Sequence, residues 1–131
     1  MAVAHGPSAL GLVSANRVLE HLRKLCLSLP ETNEADSWGH PNFRAGKRTF
    51  VTFEWMDRRP SIAFRLSAAD MAPLVRREQF FVTPYGRGHW VSIWADCRLS
   101  WKTVGVLVQR SYRLVALKRM ISALERTSAS L

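Results

Sequence analysis

The chain has 131 residues, 47% of them apolar and 22% charged, with a formal net charge of +9. That length holds one ordinary core burying about two thirds of the unfolded surface; the composition excludes a wholly disordered chain, and no apolar run approaches the roughly 18 residues of a membrane span. Residues 1–41 carry three basic side chains against four acidic, a net −1, whereas the remainder carries sixteen against six, a net +10, a field that draws polyanions and fades as salt screens it.

Residues 1–13 lack the basic head and apolar stretch of a signal peptide and are expected to be a flexible N-terminal segment on a cytoplasmic protein. Ser14 is placed to cap a helix whose apolar positions Val18, Leu19, Leu22, Leu25, Cys26 and Leu29 keep three-four spacing. Pro30 ends it. Glu31 to Ser37 shows no apolar period and reads as an exposed connection into Trp38-Gly39-His40-Pro41. Phe43, Phe50, Val51, Phe53 and Trp55 favour strands, and Ala45-Gly46-Lys47 supplies a reversal between two of them. The alternation Ile62, Phe64, Leu66 makes a third strand, with Ala63 and Arg65 on its other face.

Ser67 and Asp70 mark a helix start, kept short or kinked by Pro73. Phe80 to Val82 and Trp90 to Trp94 form two further strands around a turn at Pro84 to Gly88, and Ser100 opens a helix or helix pair running to Leu124. The expected fold class is α+β, an antiparallel sheet of about five strands with helices packed on one side. One domain spans 14–126, followed by a C-terminal tail over 127–131.

The segments Leu25-Cys26-Leu27-Ser28-Leu29-Pro30-Glu31, Trp38-Gly39-His40-Pro41-Asn42-Phe43, His89-Trp90-Val91 and Arg110-Ser111-Tyr112-Arg113-Leu114-Val115 occur in the order in which the MmcQ/YjbR family carries similar ones. The chain resembles that family over about residues 15 to 120. The resemblance implies a CyaY-like fold in a small bacterial protein, described as DNA-binding on grounds of shape and charge, with no established catalytic residues to carry over. Frataxin-type proteins of that fold attract iron through an acidic first helix. Here that helix offers only Glu20, beside Arg17, Arg23 and Lys24, so the clustered oxygen ligands are lacking.

Candidate contacts follow from charge and loop chemistry. Arg44, Lys47 and Arg48 flank the Gly46 reversal and form one basic tip; Tyr85, Arg87 and His89 form a second, with glycines that let a backbone approach closely and a phenol that can stack. Lys102, Arg110 and Arg113 on the late helix widen the positive surface. These nine residues are expected to contact the phosphates of double-stranded DNA with little base selectivity. The alternative is a protein-interaction or small-ligand module in which Trp38, His40, Tyr85, His89 and Trp90 line a pocket beside the sheet. Trp38 and His40 are expected chiefly to anchor the loop before the first strand. Ser111 and Tyr112 match no hydrolase signature and read as packing residues, so no enzyme is expected. The four histidines and two cysteines show no metal-ligand spacing, and no cofactor is implied.

Overall fold

The computed structural model describes residues 9–129. Its elements in chain order are α1 (Ala9–Leu27), β1 (Thr32–Ser37), β2 (His40–Ala45), β3 (Arg48–Met56), β4 (Arg59–Arg65), α2 (Ala68–Leu74), β5 (Phe80–Val82), β6 (Trp90–Trp94), α3 (Trp101–Val115) and α4 (Lys118–Ala129). The six strands form one antiparallel sheet in the order β1-β2-β3-β4-β6-β5.

The sheet therefore has six strands and not five. The additional one, β1, lies within the segment Glu31 to Ser37 expected to be a connection. It lies at the sheet edge and pairs only with β2. An edge strand whose side chains are all at least partly exposed needs no apolar alternation, so the pattern that betrays buried strands is missing from it. Helix α1 begins at Ala9, which puts Ser14 inside it instead of at its cap. The first eight residues of the segment expected to be flexible lie outside the described residues. Helix α4 extends to Ala129, into the stretch expected to be a tail.

Strand pairing sorts side chains onto two faces. Phe43, Val51, Phe64 and Val91 lie in register on one face, joined one step along by Phe53, Ile62, Ile93 and Phe80. These residues share a single core with Leu22 and Cys26 of α1 and with Val104, Leu107, Val108 and Tyr112 of α3. A bulge between Phe43 and Arg44 lets Phe50 also turn to this core, where it meets the Tyr112 ring edge-on at 5.6 Å. The Tyr112 hydroxyl donates to the Pro30 carbonyl at 2.7 Å, tying α3 to the end of α1. Ser111 is buried beside it. Burial pushes the Cys26 thiol far up, so it stays a protonated apolar side chain.

The two later helix caps follow the sequence. Ser67 accepts from the Asp70 amide and Ser100 from the Thr103 amide. An extended residue, Ala116, separates α3 from α4, so the late segment is a helix pair. No helix among the described residues is long and apolar enough to cross a membrane.

Candidate functional site

The second face of the sheet is chemically different. Asn42, Thr52, Ala63 and Ser92 lie across it in register, small or polar where the first face is apolar. One step along, Arg44 is opposite Thr49, and Arg65 is opposite Trp90. The same alternation that drives Phe64 into the core aims Arg65 the other way.

At the sheet edge, β1 and β2 are joined by a two-residue turn, because Ser37 pairs with His40. Both intervening residues, Trp38 and Gly39, have positive φ, 55° and 78°. Such a turn matches the strand twist, but only glycine enters that conformation without cost; an L-residue pays about 1–2 kcal/mol. Trp38 is 95% exposed, so packing does not offset the cost. The sequence-based expectation that Trp38 anchors a loop is overturned: the indole stands free at a hairpin tip.

Trp38 and its turn form one wall of a cavity of about 390 Å³, lined also by Ser37, His40, Asn42, Thr49, Thr52, Glu54, Tyr85 and Trp90. Glu54 is its chemical centre. Oε1 accepts from the Thr52 hydroxyl at 3.1 Å and from the Tyr85 hydroxyl, and Oε2 takes no hydrogen bond from the described residues. Partial burial raises the Glu54 pKa above the ordinary carboxylate value, against the opposing pull of the Thr52 hydrogen bond and the His40 charge. Asn42 donates its amide N–H to the His40 carbonyl at 3.0 Å, which leaves its own side-chain oxygen as an acceptor.

A second cavity, about 660 Å³, adjoins the first and shares Thr49 and Trp90 with it. Its remaining lining comprises Arg48, Arg65, Leu66, Ser67, His89, Leu114 and Val115. Three basic side chains from β3, β4 and the loop before β6 thus meet at one place, and among the described residues no carboxylate lines the cavity. Arg23, Arg59, Arg110, Arg113 and Arg119 are each held by an acidic side chain. Arg48 and Arg65 have no ion-pair partner among the described residues. Beside Thr49, the Nε of Arg44 is buried without a hydrogen-bond partner among the described residues.

Trp90, the partition between the two cavities, is held by the loop before it. Gly86 has φ 83°, and a Cβ there would fall 2.3 Å from Trp90 Cδ1. The glycine is thus required twice, for its backbone angle and for indole contact.

The expected contact residues therefore do not form one surface. Arg48 and His89 enter the basic cavity and Tyr85 the adjoining one. Arg44 is part-buried within β2, away from the turn tip; Lys47 and Arg87 are exposed but line neither cavity. Lys102, Arg110 and Arg113 line a third groove of about 480 Å³ between α1 and α3 that shares no residue with the other two. There Arg110 is bonded to Asp70 at 3.3 Å and Arg113 to Glu125 at 3.1 Å, which reduces their pull on an outside anion. Of the pocket envisaged beside the sheet, Trp38, His40, Tyr85 and Trp90 do come together, while His89 falls in the neighbouring cavity. Sequence reasoning missed Glu54, Thr52, Asn42, Thr49 and Arg65 as site residues; the signal for Arg65 was its charge on the outer face of an alternating strand. No group of three metal-ligating side chains occurs among the described residues.

Comparison with solved structures finds the same fold in two bacterial proteins. A Deinococcus radiodurans protein with a DUF419 domain superposes with a TM-score of 0.68 at 18% identity, covering 82% of this chain and 87% of that one. A Pseudomonas syringae protein gives 0.62 at 13% identity, covering 76% and 96%. No curated protein matches. The family model YjbR matches residues 27–114, which hold both cavities apart from Val115. The chain belongs to the YjbR family.

Proposed function

We propose that this is a non-enzymatic nucleic-acid-binding protein of the bacterial cytoplasm that grips phosphate at the end of its sheet, where Arg48 and Arg65 meet His89. The observation that carries the reading is the meeting of Arg48, Arg65 and His89 in one cavity that no carboxylate of the described residues lines. An unpaired guanidinium offers a planar fork of N–H donors that fits phosphate oxygens and displaces condensed counterions. Compared with the basic tips read from sequence, the grip shifts from turn ends to the cavity between them, because the other arginines of the late helix are engaged internally.

Fluorescence anisotropy with labelled DNA at several salt concentrations tests this. The association constant is expected to fall linearly on a log–log salt plot, and Arg48→Glu with Arg65→Glu to abolish binding at moderate salt. Wild-type affinity in that folded double variant, or binding indifferent to salt, refutes the reading. The aromatic cavity separately supports a small-ligand or protein-interaction module. That alternative requires a melting temperature that rises with a metabolite or protein partner and ignores nucleic acid.

A further inference from the structure

We infer that the two adjoining cavities take an unpaired guanine nucleotide unit, its base in the Trp38–Glu54 cavity and its phosphate in the Arg48–Arg65 cavity. The inference rests on the nucleic-acid reading above and adds strandedness and base choice to it.

Two cavities of different chemistry share a wall formed by Thr49 and Trp90. A nucleotide has the same division, a planar ring rich in hydrogen-bonding groups joined to a phosphate. The ring side supplies stacking surfaces, a 95% exposed indole at Trp38 and the exposed phenol of Tyr85. Bases stack on such faces without regard to sequence. Selection has to come from the edge.

With Oε1 of Glu54 occupied by two hydroxyls, Oε2 and the Asn42 side-chain oxygen remain as acceptors, and the His40 imidazole lines the same cavity. Guanine is the base whose pairing edge carries two adjacent donors, N1–H and the N2 amino group, beside an acceptor at O6. Adenine and cytosine place a single amino donor beside an acceptor, and thymine or uracil one donor between two acceptors. A base with a single donor would leave one of these two acceptors, Glu54 Oε2 or the Asn42 oxygen, facing a ring acceptor with no proton between them, and an unpaired polar group in a partly desolvated site is how close analogues are rejected. In a duplex the pairing edge is occupied, so the base must come from a single strand or a free nucleotide.

The test uses the full chain and labelled eight-nucleotide thymidine strands carrying one central guanine or one central adenine, the matching duplex, and free GMP and AMP as competitors. The guanine strand is expected to bind about tenfold tighter than the adenine strand at equal salt, and the duplex more weakly than either. Glu54→Gln should bring the two strands within about twofold of each other while leaving the salt slope in place, since the phosphate contacts are untouched. Trp38→Ala, at an exposed tip where folding is not at stake, should weaken both strands about tenfold through lost stacking. Competition by GMP and not AMP at concentrations near the strand's own affinity points to the free nucleotide as the source; guanine preference among strands that GMP does not reverse points to single-stranded nucleic acid. Either pattern supports the inference. Equal affinity for the two strands, or tighter binding of the duplex, overturns it and leaves the phosphate reading standing. Failure of every probe to bind at low salt overturns both.

Discussion

Replacing Trp38 by Asn should make the protein more stable and a poorer binder. Trp38 holds φ 55° in a two-residue hairpin turn before Gly39. The left-handed conformation costs an ordinary L-residue about 1–2 kcal/mol, and Asn-Gly is the pair that enters such turns most readily. Because the indole is 95% exposed, deleting it forfeits little buried surface. The net gain should be about 0.5–1 kcal/mol; with an unfolding entropy near 2.1 cal/mol/K per residue over 131 residues, that raises the melting temperature by about 2–4 °C. Thermal melts followed by far-ultraviolet circular dichroism read the first effect, and the oligonucleotide titration reads the second. A melting temperature that drops would refute the reasoning, for it would mean that the indole folds onto the cavity wall and contributes packing there. Stability gained together with binding lost is the signature of strain kept at a working site.

Other perturbations test the scaffold around the cavities. Gly86→Ala must both adopt φ 83° and displace Trp90, so a loss of about 2–4 kcal/mol in urea titrations is expected, with nucleic-acid affinity falling alongside; a neutral result would show that the loop can move away freely. Tyr112→Phe removes one hydroxyl bonded at 2.7 Å to the Pro30 carbonyl and should cost about 1 kcal/mol, against about 3–5 kcal/mol for Tyr112→Ala, which also empties the core site beside Phe50. For Glu54 the sign follows from its raised pKa. The folded state holds a proton that the unfolded chain has released, so this group's contribution to stability declines as pH climbs from the ordinary value of 4.5 and levels off above the raised one. Glu54→Gln should therefore gain on the wild type between acid and neutral pH, and an offset between the two that does not change with pH would contradict the account. At Asp96 the sign reverses, because the Arg59 hydrogen bonds hold its pKa down: its contribution is present above the unfolded carboxylate value and lost as pH falls through the lowered one. Asp96→Asn should lower stability at neutral pH and match the wild type at strongly acid pH.

How much was legible in the chain depends on burial. Strands β3 and β4 declare themselves through Phe50, Val51, Phe53, Ile62 and Phe64, because the core that receives these side chains demands apolar groups at fixed spacing. The caps Ser67 and Ser100 are readable because an orphan amide needs a nearby oxygen. The family segments are readable too, and Tyr112 bonding Pro30 shows one physical reason why two of them go together. Strand β1 is not readable, since Thr32 to Ser37 forms a partly exposed edge on which no apolar period is imposed. The site divides in the same way. The basic residues and the aromatic Trp38, Tyr85 and Trp90 stand out by type, but nothing local distinguishes Arg48, which has no carboxylate partner among the described residues, from Arg110, which Asp70 holds.

By itself the amino-acid order determined an α+β domain with a strongly positive second part, a long helical segment at its end and two turns rich in basic and aromatic groups. Only the tertiary structure decided which of those charges meet. Bringing Arg48, Arg65 and His89 to one cavity, and Glu54 under Tyr85 in the next, depends on strand order and on which way each pleat points. Those are set by pairings between residues far apart in the chain, and composition and local spacing carry no record of them.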